Sequence, residues 1–325
     1  MAYITINKEN YFYNLNECLK HINNNIDNFV LILKDNAYGH GLLQISNLAL
    51  EFGINFIALK NQNEAEEVKN KFKNILLLSQ LAQDYESNEN YILGINSLDY
   101  FNYTKKNDKI MLKLNTGMNR NGLQINELKQ AIKIIKEQKL RFLGAYTHFS
   151  SPNNIDKQKK LYKEYCTYLQ DNYDEKLFFH SSNSSAVFLN KNDDLAARCG
   201  LAQFGFCDVE ANLKPVMSLY AQKLSSRTIQ KDEIIGYDER FKATKSMLVS
   251  TYDLGYADGL IYKENIKIKN NIKILGKISM DSFVCESNQN ELCIFDNAYE
   301  FAKEFNTTVY EIFVRLNQNI KKIII

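Results

Sequence analysis

Between residues 28 and 205 the chain alternates short apolar runs with amphipathic stretches of helical period, and this alternation constrains the fold more than any other feature. The apolar runs are FVLILK (29–34), NFIALK (55–60), ILLLS (75–79), YILGI (91–95), KIMLKLN (109–115), FLGAYTH (142–148), KLFFHS (176–181) and a weaker LAARCG (195–200). LLQISNLALEF, NEAEEVKNKF, INELKQAIKIIKEQ and DKQKKLYKEYCTYLQ between them have helical spacing. A strand that is apolar on both faces needs cover on both, which parallel strands receive from their crossover helices. Eight such units are the number that closes a barrel. A doubly wound open sheet is the alternative, but Lys34, Lys113, His148, His180 and Arg198 stand at or near the carboxyl ends of different runs. In a closed parallel barrel those ends meet at one mouth; in an open sheet they are strung along a line.

After about residue 210 the pattern turns to longer β-rich segments, among them PVMSLYAQKLSSRTIQ, SMLVSTYDLGY, NIKIKNNIKILGKI, SFVCES and ELCIFD, with helical spacing only around 298–316. The expected architecture is therefore α/β: a (β/α)8 TIM barrel over 7–210, and a second, mainly β carboxy-terminal domain over 211–325, joined by an opening strand at 1–6. No internal repeat and no linker rich in Pro, Gly or Ser interrupts this plan.

Forty Lys and Arg against 38 Asp and Glu leave a net charge of +2, which argues against a dedicated nucleic-acid binder. No apolar run reaches the ~18–20 residues of a membrane span, and MAYITINKENYFYN lacks the layout of a signal peptide, so a cytoplasmic protein without a membrane partner is expected. Six scattered cysteines without CxxC spacing give no support for a disulfide framework or a metal site; buried free thiols are expected.

Glycine and proline are scarce, at 13 and 2 residues, and the glycines gather beside a few short segments: 39, 41, 117, 122, 144, 200, 205, 255, 259 and 276. Such clustering suits a site built partly from main chain, where backbone takes positive φ or approaches a ligand. The most informative segment is LILKDNAYGHG (31–41), in which a buried strand delivers Lys34 to its end and Tyr38 follows in a glycine-bearing turn. An amine drawn out of water gives up its proton more readily and can form a Schiff base; a lysine that snorkels to solvent does neither.

KDNAYGHG resembles the pyridoxal-phosphate lysine segment of alanine racemases, whose usual form is KANAYGHG. The likeness continues in order: KLNTGMNRNG (113–122) is similar to KxDTGMNRLG, GAYTHFS (144–150) to the THF segment, and HSSNSSA (180–186) to HxxNSxx. RCGLAQFGF (198–206) resembles R-x-G-I-x-x-Y-G, LGYADG (254–259) the IGYADG block, and GKISMDS (276–282) GxxxMDQ. Seven ordered blocks over residues 31–282 identify a resemblance to the alanine racemases, pyridoxal 5'-phosphate enzymes of fold type III.

That resemblance implies interconversion of L-alanine and D-alanine, supplying D-alanine for peptidoglycan, by two bases on opposite faces of Cα: Lys34, which carries the cofactor, and Tyr256. A phenol ordinarily titrates near pH 10, so Tyr256 needs cationic help, which His148 and Arg198 supply in the family. Arg198 is expected to face the pyridine nitrogen, where a group that cannot surrender its proton leaves the ring a weaker electron sink. Tyr38, Ser184, Gly200, Leu201 and Tyr310 are expected at the phosphate, with His180 shaping the pocket. Arg120 is expected at the ring hydroxyl and the substrate carboxylate, held by a carbamylated Lys113. Met280 is expected to offer its amide to that carboxylate, and Asp281 to order the mouth. In the family the tyrosine and methionine matching Tyr256 and Met280 reach the opposite subunit's site, so a homodimer with shared sites is implied.

Departures from the family pattern are Asp35 for Ala, Asn115 for Asp, Asn121 for Leu, Ser279 for Cys and Ser282 for Gln. The terminus VRLNQNIKKIII also lacks the Arg-Val-Pro-Arg signature, which leaves the role of Tyr310 and the substrate corridor open. Two rivals stand beside alanine racemisation: a racemase of the same fold with broader amino-acid specificity, and a non-catalytic pyridoxal-phosphate-binding protein, against which the presence of Tyr256 and Met280 speaks.

Overall fold

The computed structural model describes residues 1–189, 196–261, 263 and 266–325. The chain divides into two compact units, one of residues 12–35 and 45–213, the other of residues 1–11, 36–44 and 214–325.

The first unit is the barrel. Its strands, numbered along the chain after an opening strand β1 (Tyr3–Ile6), are β2 (Phe29–Ile32), β3 (Phe56–Leu59), β4 (Asn74–Leu77), β5 (Tyr91–Ile95), β6 (Lys109–Lys113), β7 (Arg141–Tyr146), β8 (Phe178–His180) and β9 (Ala197–Cys199). They form one eight-stranded parallel sheet in the order β8-β7-β6-β5-β4-β3-β2-β9. A parallel bridge between Ser182 and Ala197, with Arg198 N–H donating to Ser182 O at 2.8 Å, brings the two ends of the order together. All eight runs picked out in the sequence carry a strand, and the barrel prevails over the open sheet. Leu195, at the start of the last run, lies outside the described residues. β2, β3 and β5 are buried along their whole length, as both-face cover demands.

The helices are α1 (Lys8–Lys20), α2 (Lys34–Tyr38), α3 (Leu42–Phe52), α4 (Gln62–Glu66), α5 (Leu128–Gln138), α6 (Ile155–Asp171) and α7 (Ser184–Leu189). α5 buries Leu128, Ala131, Ile132 and Ile135, the spacing of one helical face, and ends on Lys139 in the left-handed region at φ 56°. NEAEEVKNKF supplies less helix than its spacing predicts, because α4 stops at Glu66 and turns follow. The links from β4 to β5 and from β5 to β6 carry only 3-10 turns, Ala82–Asp84 and Leu98–Tyr103.

The second unit is built on β10 (Met217–Ile229). It pairs antiparallel with β1, β13 (Met247–Tyr252) and β16 (Glu291–Phe295), in a sheet completed by β14 (Ile274–Leu275), β15 (Phe283–Cys285) and β17 (Lys321–Ile324). A small hairpin joins β11 (Ile234–Ile235) to β12 (Phe241–Lys242), and the carboxy-terminal helices are α8 (Ala298–Phe305) and α9 (Val309–Arg315). β1 lies between β10 and β17, parallel to the latter, so the first residues of the chain are paired on both edges. Asn265, at the start of NIKIKNNIKILGKI, lies outside the described residues. Among the described residues no helix is long and apolar enough to cross a membrane, no group of acidic, histidine or cysteine side chains could hold a metal ion, and the six cysteines are free.

Candidate active site

Lys34 leaves β2 at its carboxyl end and begins α2, whose next four residues all have positive φ: Asp35 (54°), Asn36 (55°), Ala37 (50°) and Tyr38 (52°). This is one left-handed helical turn, a conformation that costs L-residues roughly 1–2 kcal/mol each and that Asn and Asp tolerate best. A strained turn immediately after Lys34 fits the tendency of such strain to sit at functional sites. Within the barrel unit, Leu33 N–H donates to Ala58 O at 2.9 Å, which fixes the end of β2 against β3 just before Lys34. Tyr38 belongs to the other unit, where its ring lies 5.9 Å from that of Tyr310, and Tyr310 itself is exposed.

Arg198, in the middle of β9, is buried and held by neutral acceptors. Nη1 donates to His180 Nδ1 at 2.9 Å and to His180 O at 2.8 Å, while Nη2 donates to Ser181 O at 3.3 Å and to Thr147 O. A guanidinium has no acceptor, so His180 Nδ1 must receive that bond with its lone pair, which places the imidazole proton on Nε2, facing Met111 Sδ at 3.4 Å. Burial, then the charges of Arg198 and Lys113, hold His180 well below the usual imidazole range. His180 also stacks on Tyr146, with ring centres 5.3 Å apart and planes 6° from parallel. The sequence pattern assigned His180 only a shape role. The structure makes it a direct hydrogen-bond partner of Arg198, a tie between β8 and β9 that only the barrel's closure produces.

His148 stands two residues beyond β7, and its imidazole is pushed down to about 3 by burial, then by Arg198, Lys113, Arg120 and Lys34. Lys113, the last residue of β6, is buried, with Nζ 4.9 Å from the Tyr146 ring centre. Burial and the charges of Arg198 and Arg120 hold its amine well below the usual lysine range. The barrel mouth thus gathers four basic side chains, Lys34, Lys113, Arg120 and Arg198, an electropositive setting suited to anionic ligands. Arg120 itself is exposed on the loop after β6. That loop is organised by Asn115, whose Oδ1 accepts from Gly117 N–H and Asn119 N–H, both at 3.1 Å. An amide oxygen fills this acceptor role as well as the carboxylate usual in the family pattern, so the change at 115 keeps the loop.

Ser184 opens α7, and its Oγ accepts from the main-chain amides of Gly200 and Ala202, each at 3.1 Å. Asn183 Oδ1 caps the helix by accepting from Ala186 N–H at 2.9 Å. Ser184 Oγ is thus oriented by two main-chain amides, and its own O–H is left to donate to an anion beside the backbone of Leu201.

In the second unit, Tyr256 and Met280 lie on adjacent strands of backbone. Tyr256 N–H donates to Ser279 O at 3.2 Å and Ala257 N–H to Met280 O at 3.0 Å. Gly255 makes this approach possible, because a Cβ there would fall 2.0 Å from Met280 O and 2.5 Å from Asp281 N. Both side chains project to solvent from this chain, Tyr256 52% and Met280 55% exposed.

Comparison with known proteins then gives two contiguous matches, the alanine racemase N-terminal domain over residues 6–208 and the alanine racemase C-terminal domain over residues 216–324. The chain belongs to the alanine racemase family. A curated alanine racemase of Campylobacter jejuni subsp. jejuni serotype O:23/36 is 41% identical over 340 residues, covering all of both chains. Among solved structures, alanine racemase of Clostridium difficile 630 superposes with a TM-score of 0.90 at 21% identity, covering 100% of this chain and 95% of that one. Histidine racemase from Leuconostoc mesenteroides subsp. sake superposes with a TM-score of 0.87 at 18% identity, covering 100% and 98%. The alanine racemase fold is thus shared with a racemase named for a different amino acid, so the fold by itself leaves the substrate side chain open.

Proposed function

We propose that this protein is a pyridoxal 5'-phosphate-dependent alanine racemase that interconverts L-alanine and D-alanine, with Lys34 and Tyr256 as the two proton-transferring groups. The observation that carries this reading is the set of groups at the barrel mouth of a family member: Lys34 leaving β2, the buried Arg198, and the Ser184 hydroxyl with the Gly200 and Ala202 amides. These residues suit an anionic, aldehyde-bearing cofactor, since they offer an amine to join it, donors for a phosphate and a fixed guanidinium for a ring nitrogen. Bound there, pyridoxal phosphate supplies an electron-withdrawing ring that acidifies the Cα–H bond of an attached amino acid.

In this reading Lys34 moves a proton at Cα on one face and Tyr256 moves one on the other, the pairing that inversion requires. Tyr256 and Met280 act in the site of the partner subunit, so the working enzyme is a homodimer with shared sites; their exposure on the single chain agrees with this. Arg198 would face the ring nitrogen of the cofactor, where a guanidinium, which does not surrender its proton, would leave the ring a weaker electron sink. His148 belongs to the polar chain between Arg198 and Tyr256. In the barrel unit Ser184, Gly200 and Leu201 would hold the phosphate, to which the family pattern also assigns Tyr38 and Tyr310, and Arg120 and the Met280 amide would hold the substrate carboxylate. Lys113 bears a carbamate: burial and the neighbouring cations hold its amine well below the usual lysine range, which favours the attack of its nitrogen on carbon dioxide, and the anion formed would neutralise Arg120. The enzyme acts in the cytoplasm and supplies D-alanine for cell-wall peptidoglycan.

The test is deuterium exchange at Cα of L- and D-alanine by the parent, Lys34→Ala and Tyr256→Phe. Loss of nearly all exchange is expected for Lys34→Ala, and loss mainly of exchange from L-alanine for Tyr256→Phe. Parental racemisation by Tyr256→Phe would remove the two-base assignment. A second reading, a racemase with another or broader side-chain preference, is favoured by the likeness to a histidine racemase. A panel of L-amino acids turned over by the same preparation decides between the two.

A further inference from the structure

The backbone on either side of Lys34 is tied toward β3, but by different means. Before it, Leu33 N–H donates to Ala58 O at 2.9 Å, as the parallel register of β2 on β3 requires. Continued one step, that ladder would engage the amides of Lys60 and Asp35. Both go instead to one side chain: Lys60 N–H donates to Glu64 Oε2 at 3.0 Å and Asp35 N–H to Glu64 Oε1 at 2.7 Å. The Lys60 carbonyl, which the same step would use, has turned to the β4 side, where it accepts from Ser79 N–H at 2.8 Å. Glu64 is seated by the start of α4, where its own N–H donates to the cap residue Asn61 at Oδ1, 3.2 Å away.

We propose that Glu64 is a positioning residue for Lys34: its carboxylate replaces the missing step of the ladder, fixes the backbone just beyond Lys34 and so sets where the amine can reach. This rests on the reading of Lys34 and Tyr256 as the groups that move protons on opposite faces of Cα. Asp35 takes φ 54°, a conformation that side chains resist, so the direction of its amide needs an outside hold. An ionised carboxylate suits the task, since it only accepts and offers two oxygens to two amides. Burial pushes the Glu64 carboxyl up and prevails over the two amides, which pull it down. Glutamine has the same shape but one oxygen and one NH2, so one backbone amide then faces a donor; the clamp breaks and no charge is left buried. The fault is one-sided, because Tyr256 belongs to the other unit. Exchange from L-alanine is assigned to Tyr256, so a displaced Lys34 slows chiefly exchange from D-alanine.

The experiment compares the full-length parent, Glu64→Gln, Glu64→Asp and Lys34→Ala. Hydrogen exchange of the Asp35 and Lys60 amides is followed by NMR before cofactor is added, and deuterium exchange at Cα of D- and L-alanine after reconstitution with pyridoxal phosphate. Both amides are expected to be protected in the parent. Glu64→Gln is expected to speed exchange of at least one of them about ten-fold or more, and to slow exchange from D-alanine about ten-fold while exchange from L-alanine stays within about three-fold of the parent. Glu64→Asp keeps the charge but draws it back by one methylene; it is expected to give the same skew, and it carries the test if the glutamine variant does not fold. Unprotected Asp35 and Lys60 amides in the parent would overturn the inference without any variant, as would unaltered protection in a folded Glu64→Gln protein. Faster amides with D- and L-alanine exchange slowed equally would mark a purely structural role and overturn it too. If the parent formed no borohydride-sensitive band near ~420 nm, or Lys34→Ala kept one, the assignment of Lys34 would fail and this inference with it. A normal parent and Lys34→Ala beside unskewed Glu64 variants would remove the inference alone.

Discussion

Gly255→Ala isolates the geometry on which the proposed second base depends. The backbone at Gly255 has φ −133°, which alanine adopts freely, so the substitution acts through space alone. Its Cβ would sit 2.0 Å from Met280 O, 2.3 Å from Met280 C and 2.5 Å from Asp281 N, all main-chain atoms that cannot rotate away. Ordinary contact requires a retreat of more than about 1 Å, which must open the hydrogen bonds from Tyr256 N–H to Ser279 O and from Ala257 N–H to Met280 O. Overpacking of this kind costs about 1–3 kcal/mol or more of stability, and a catalytic group misplaced by about 1 Å can cost on the order of 10²-fold in rate. The assay is racemisation of L-alanine and D-alanine with a parallel thermal melt and a cofactor spectrum. A fall in kcat of about 10²-fold is expected, with the ~420 nm band retained because Lys34, Ser184 and Arg198 belong to the barrel unit. Racemisation within about twofold of the parent by a folded Gly255→Ala protein would refute the argument that this contact sets Tyr256.

Ser184→Ala removes the acceptor of two buried amides, so cofactor affinity measured by spectral titration should fall about ten-fold or more, with a stability loss of about 1–3 kcal/mol; parental affinity would contradict the cradle. Stability should also fall on acidification from about pH 6.5 toward about 3. His40 and His148 are both held neutral in the folded protein down to about 3. The unfolded chain takes up their protons nearer pH 6.5, so below that point it binds more protons than the folded state and is favoured. Denaturant midpoints followed across this window should fall less steeply in His148→Asn than in the parent, and identical slopes would show that His148 is not held neutral.

Much of the fold was legible because two-sided burial leaves a strong mark: FVLI, FIAL and YILGI are apolar at every position, and only a sheet covered on both faces wants that. Helix length was less legible. NEAEEVKNKF has helical spacing throughout, yet α4 ends at Glu66 and turns follow, because tertiary context overrides a weak local preference. Most of the site's residue types could be read from motifs, but their relations could not. That Asn115 replaces an acid without loss of its loop depends on which backbone amides it meets, and a sequence does not state that.

What the chain determined by itself was local: which runs are buried, where polar groups follow strand ends, and which glycines admit close backbone. What only the tertiary structure decided was long-range. The Arg198 bond to His180 needs β8 and β9 brought together, the bond from Asp35 N–H to Glu64 Oε1 needs the ends of β2 and β3 aligned, and the approach of Tyr256 to Met280 needs two loops at van der Waals limits. Each joins residues separated along the chain, and their electrostatics follow from burial and neighbours, quantities that exist only once the chain has closed on itself.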